Sequence, residues 1–97
     1  MTLQQQIILA TLLKLMSMLS TNSVSKHQFF NAYLKVCELL LLAPSDGEEL
    51  EDSYSSLESH AMIRLTDKSI TFLPNPEVVR NTINDDGLIS KIATLEF

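Results

Sequence analysis

The chain has 97 residues, 45% of them hydrophobic and 20% charged, with two glycines and three prolines. That suffices for one domain with an apolar core of its own, and it excludes a disordered or collagen-like chain and any need for disulfides or a structural metal to hold the fold. A net charge of −5 and a pI of 4.8 exclude general nucleic-acid binding by the whole surface, since phosphate is repelled at neutral pH wherever no local basic patch exists.

The first predicted helix runs from Thr2 to Leu19, with Thr2 as N-cap and Gln5 at the reciprocal capping-box position. Leu3, Ile7, Ala10 and then nearly every residue except Thr11, Lys14 and Ser17 are apolar, so this helix is covered on most sides. "IILATLLKLMSML" is shorter than the roughly 20 residues a membrane span needs, and Lys14 interrupts it. Gln4, Gln5 and Gln6 stand where a signal peptide would have its basic start, so no membrane partner is expected. "STNSVS" supplies turn residues with room for a short extended piece at Val24, and Ser25 caps a second helix from Lys26 to about Leu42. Its apolar stripe is Phe30, Tyr33, Leu34, Cys37, Leu40 and Leu41, widened by Leu39 and Leu42, and the four leucines predict a buried helix end. Cys37, the single cysteine, has no internal partner and acts as a small hydrophobe, which points to a reducing compartment.

"APSDG" breaks the chain. The stretch that follows, "DGEELEDSYSSLES", carries Asp46, Glu48, Glu49, Glu51, Asp52 and Glu58 with no base, yet Leu50, Tyr54, Leu57 and Ala61 recur at i, i+4, i+7 and i+11, one narrow helical face. Asp46 with Glu49, or Ser45 with Glu48, has capping-box spacing, and the early carboxylates sit at the positive end of the helix dipole. Ser45 and Ser55 each precede an acid by three residues, a spacing acidophilic kinases accept and helix caps share. From Met62 the period becomes two, with Ile63 and Leu65, then Ile70 and Phe72, which predicts a β-hairpin turning at Asp67 and Lys68. "LPNPEVV" opens another helix with Asn75 as N-cap, Pro76 at its first position and Glu77 just inside. Gly87 stops or bends it, and Leu88 to Leu95 forms a last short helix.

The predicted fold is mostly α with a small β-hairpin in one domain over residues 1–97: three helices, a two-stranded wing and two C-terminal helices. This is winged-helix connectivity, and the alternative is an α+β bundle in which the hairpin is incidental. No phosphate-cradling glycine loop, calcium-loop pattern or catalytic triad spacing is present, and His27, Cys37 and His60 are too scattered for a zinc motif. Neither an enzyme nor a metal, cofactor or small-molecule substrate is expected. Contact chemistry is more informative. Arg64 and Lys68 on the hairpin, with Lys26 at the start of the second helix, are candidate duplex contacts. Three neutralised phosphates give weak binding with a salt slope of about −3. The outer face of the third helix, with Glu51, Asp52, Ser55 and Glu58, is a candidate surface for a basic protein partner.

In order and spacing, "LQQQIILATLLKLM", "LESHAMIRL" and "DDGLISKIATL" resemble the C-terminal winged-helix domain of the eukaryotic replication-licensing AAA+ initiators, the family of cell-division-control protein six and origin recognition complex subunit one. The resemblance runs from Thr2 to about Thr94 and rests on hydrophobic spacing. It implies a module behind an ATPase domain in a nuclear protein that works with the origin recognition complex to load the replicative helicase; ATP hydrolysis would then lie outside this chain. In that family the third helix and wing carry bases suited to phosphate, whereas here the third helix carries only acids and the wing only Arg64 and Lys68. The expected function is therefore a non-catalytic docking module with weak duplex contact. An acidic winged-helix adaptor of another multisubunit assembly is the alternative. A sequence-specific transcription regulator is opposed by the acidic third helix.

Overall fold

A computed structural model of the chain describes residues 3–44, 46–73, 78, 83 and 86–94. Among these the order is α1 (Leu3–Leu19), β1 (Ser23–Ser25), α2 (Lys26–Leu40), α3 (Gly47–Ser59), β2 (Ile63–Leu65), β3 (Ser69–Phe72) and α4 (Asp86–Ala93). The Thr2 cap, the Ser45 cap and the helix start at Asn75, Pro76 and Glu77 lie outside the described residues.

α1 is the axis of the core. Its residues from Ile7 to Leu13, and Leu15, are buried, because α2, α3, α4 and two of the strands all pack against it. Thr11 is the polar residue in that run, and its hydroxyl donates to the Ile7 carbonyl at 2.7 Å, so burial leaves it satisfied.

α2 begins at Ser25, whose hydroxyl accepts from the Gln28 amide at 3.0 Å. The helix turns Phe29, Ala32, Tyr33, Val36 and Cys37 inward, a stripe rotated from the predicted one. Tyr33 and Cys37 are shared, but Phe30 and Leu34, each 37% exposed, lie on the flank. The doublet Phe29–Phe30 is compatible with either stripe. Ring packing decides it, with Phe29 edge-on to Tyr54 at a centroid distance of 5.8 Å and stacked near Tyr33 at 6.1 Å.

The leucine run does not form a buried helix end. Leu41 adopts φ 57, its amide bonds to the Glu38 carbonyl at 3.2 Å, and the Leu42 amide bonds to the Cys37 carbonyl at 2.9 Å. This is a Schellman closure with leucine where glycine usually sits. The left-handed residue turns the chain off the helix, and Leu39, Leu41 and Leu42 are exposed. α3 closes the same way at Ala61, φ 58, with Ala61 N to Glu58 O at 3.0 Å and Met62 N to Leu57 O at 3.0 Å. Ala61 is therefore exposed and outside the helix rather than a continuation of its apolar face. α1 ends at Ser20, φ 52.

At the front of α3, Asp46 caps the helix by accepting the Glu49 amide at 2.8 Å, and Leu50, Tyr54 and Leu57 are buried as their spacing predicts. The hairpin turns between Thr66 and Ser69, around Asp67 and Lys68, with the Thr66 hydroxyl accepting from the Ser69 amide at 3.1 Å.

The sheet has three strands in the order β1-β3-β2, all antiparallel, not the two of the predicted wing. β1 pairs Val24 with Ile70, and the pairing extends at both ends through Lys26 N to Lys68 O at 2.8 Å and Phe72 N to Asn22 O at 2.7 Å. The free edge of β3 presents backbone donors and acceptors, and the nearest extended segment satisfies them. Gly87 lies in the first turn of α4, whose Leu88 and Ile92 are buried, and most of the preceding helix it was expected to stop or bend lies outside the described residues.

Candidate nucleic-acid and protein interface

Strand alternation sorts the sheet into two faces. Val24, Ile63, Ile70 and Phe72 are buried. The intervening rows, Ser23–Thr71–Arg64 and Ser25–Ser69, occupy the opposite face. Arg64 thus stands exposed on the edge strand at the end of a row of hydroxyls, and Lys68 is exposed on the turn.

Lys26 is brought to the same end of the sheet, since its amide bonds to the Lys68 carbonyl. Its ammonium, however, lies 3.5 Å from the Glu51 carboxylate on α3. An exposed pair of this kind stabilises by at most about 1 kcal/mol. Its larger effect is local, because a carboxylate now sits where Lys26 would meet phosphate. The structure therefore unites Lys26 and Lys68 in space and couples one of them to the acidic helix.

The four acidic-face residues also separate. Glu51 is engaged with Lys26, and the Glu58 carboxylate accepts from the Leu65 amide at 2.8 Å. Leu65 is on β2, the sheet edge, and its amide points away from β3, so Glu58 covers a strand edge that would otherwise be open to another chain. Asp52 and Ser55 are exposed. Behind this face, burial first, then the Glu51 charge and then Tyr33, push the Tyr54 phenol well above its ordinary value. It stays protonated at physiological pH.

Two glutamines in the first turn of α1, where Gln5 was expected to serve the helix cap, make tertiary bonds instead. Gln5 donates to the Ser56 hydroxyl at 2.8 Å, and Gln4 accepts from the Tyr33 hydroxyl at 3.2 Å. They tie the start of α1 to α3 and α2. The Gln4 amide nitrogen is buried without a partner among the described residues.

Among the described residues no three His, Cys, Asp or Glu side chains converge as a metal site, and no helix is long and apolar enough to cross a membrane. Compared with known proteins, the chain matches no family model and no curated protein.

Proposed function

We propose that the chain is a non-catalytic winged-helix docking module of a replication-licensing initiator, working mainly through protein contact and adding weak duplex contact through the wing. The observation that carries this is β1. A strand between the first two helices that completes the sheet of a later hairpin, β1 on β3, gives the helix, strand, helix, helix, hairpin connectivity of a winged helix. A partner strand contributed from between the first two helices supports this reading over a hairpin merely attached to a bundle.

The family resemblance supports the assignment to initiators. "LQQQIILATLLKLM" lies within α1, "LESHAMIRL" carries the end of α3 into β2, and "DDGLISKIATL" covers α4. In this assignment the partners are the origin recognition complex and the replicative helicase, the location is the nucleus, and an ATPase domain would be a separate part of the same protein.

With Lys26 paired to Glu51, Arg64 and Lys68 are the wing bases left for phosphate, and the salt slope of duplex binding falls to about −2. Fluorescence anisotropy on labelled duplex DNA from about 50 to 200 mM salt tests this. Weak, sequence-indifferent binding that Arg64→Ala and Lys68→Ala abolish is expected. Tight, sequence-selective binding by the chain alone overturns the proposal, and failure to bind purified origin recognition complex overturns the assignment to initiators. The Lys26–Glu51 pair also favours a second reading, an adaptor with protein contacts alone. No duplex binding at the lowest salt would select it.

A further inference from the structure

The register of the sheet lines up its outward side chains in two rows. In one, Arg64 stands beside Thr71 and Thr71 beside Ser23. In the other, Ser25 stands beside Ser69, and the Ser69 hydroxyl meets that of Thr66, just past β2, at 2.6 Å. Strand alternation turns these rows away from the apolar face, where Val24, Ile63, Ile70 and Phe72 are buried. The outward face is about 10 Å across, at about 4.8 Å between strands. Its chemistry is of one kind, hydroxyls and a guanidinium, which can all donate to an anion. In a chain with 12 acidic residues, neither row carries one. Glu58 is held at the outer edge of β2 by the Leu65 amide, Glu51 is held by Lys26, and Asp67 lies on the turn.

The two rows differ in what remains free. The Ser25 hydroxyl is committed to the Gln28 amide, and those of Ser69 and Thr66 are committed to each other. In the row of Arg64, the Thr71 hydroxyl donates to the Ser23 hydroxyl at 3.4 Å, too long for a strong bond and easily exchanged for a charged acceptor. Arg64 pairs with no carboxylate among the described residues. An unpaired guanidinium therefore ends a line of two weakly engaged hydroxyls.

We propose that the row Ser23–Thr71–Arg64 is the phosphate-binding line of the wing, with Arg64 holding a backbone phosphate of duplex DNA and the hydroxyls of Thr71 and Ser23 donating to phosphate oxygens of the same strand. This rests on the duplex contact proposed above and deepens it. The contact moves from the turn onto the flat face of the sheet, and uncharged groups join it, while Lys68 on the turn stays the second charge. The two kinds of group leave different marks. A base that meets phosphate releases a condensed counterion and a hydroxyl does not, so only loss of the base flattens the salt dependence.

The test is fluorescence anisotropy of the full 97-residue chain on labelled duplex DNA from about 50 to 200 mM salt. Thr71→Val removes the hydroxyl and keeps a β-branched side chain suited to a strand. It should weaken binding about fivefold at every salt, the size of one hydrogen bond, with the slope unchanged at about −2. Ser23→Ala should weaken it in the same way, and Thr71→Ser should restore most of the affinity. Arg64→Ala should instead lower the slope by about one. Thermal melts check the fold, and where Thr71→Val melts early, Ser23→Ala on the edge strand decides alone. Full affinity in both hydroxyl variants, Thr71→Ser binding as poorly as Thr71→Val, or a slope lowered by Thr71→Val as by Arg64→Ala overturns the phosphate line and leaves the contact through Arg64 and Lys68 standing. No binding by the wild-type chain at about 50 mM salt overturns that contact and the phosphate line together.

Discussion

Ala61 closes α3 with φ 58 and is exposed, so its methyl group strains the backbone without packing in return. A left-handed L-residue costs about 1–2 kcal/mol, and a glycine loses part of that gain to its freer unfolded chain. Ala61→Gly should raise stability by about 1 kcal/mol, seen as a rise of about 4 °C in Tm. Tyr54 supplies a different residue-scale effect. Its phenol holds its proton more tightly folded than unfolded, so the stabilisation is complete below the unfolded pKa of about 10 and is lost as pH rises through that value toward the folded one. Urea midpoints between pH 7 and 11 should therefore fall more steeply for the wild-type chain than for Tyr54→Phe. Local chemistry of this scale was partly readable in advance. Ser25 caps its helix as predicted, and Asp46 caps α3 as one of the two candidates there, because a cap needs only a side chain and an amide three residues on. The stripe of α2 was not readable, because Phe29 and Phe30 are adjacent and only the ring of Tyr54, from another helix, chooses between them.

At the scale of elements, Glu58 links a helix to a sheet. Its bond to the Leu65 amide covers the outer edge of β2, and that edge is the exposed side of a strand only three residues long. Glu58→Ala should cost at most about 1 kcal/mol, since the bond is solvent-exposed, while amide hydrogen exchange at Leu65 rises sharply. Glu58→Gln keeps an acceptor and should keep most of the protection. Equal exchange in all three proteins would show that the carboxylate does not hold the edge. The role was hidden in the sequence because Glu58 looked like one more acid on a solvated face. It faces β2 only because the closure at Ala61 sends the chain back alongside α3. The pairing of β1 was hidden for a related reason: a short extended piece was expected at Val24, but three residues with one apolar side chain give no measurable period, and the partner is chosen by the edge that β3 offers.

For the molecule as a whole, what could be read ahead was the succession of three helices and a hairpin, and the inward residues of α3, Leu50, Tyr54 and Leu57, since both follow from spacing. What could not be read was which charges meet. Lys26 and Glu51 are 25 positions apart in the numbering and are paired only by the way α3 crosses the start of α2. That crossing converts a chain with few bases into one whose wing region is partly neutralised from within, which is why the charged part of the proposed weak duplex contact is confined to Arg64 and Lys68.

Ser25 is at once the last residue of β1 and the cap of α2. No hinge separates strand from helix, and the Lys26 amide clamps the junction onto the turn at Lys68. The wing turn is thus joined directly to the start of α2, whose far end lies about 22 Å away at 1.5 Å per helical residue. A substitution that opens the turn at Lys68 would therefore remove a backbone partner from the first residue of α2 as well as from the wing.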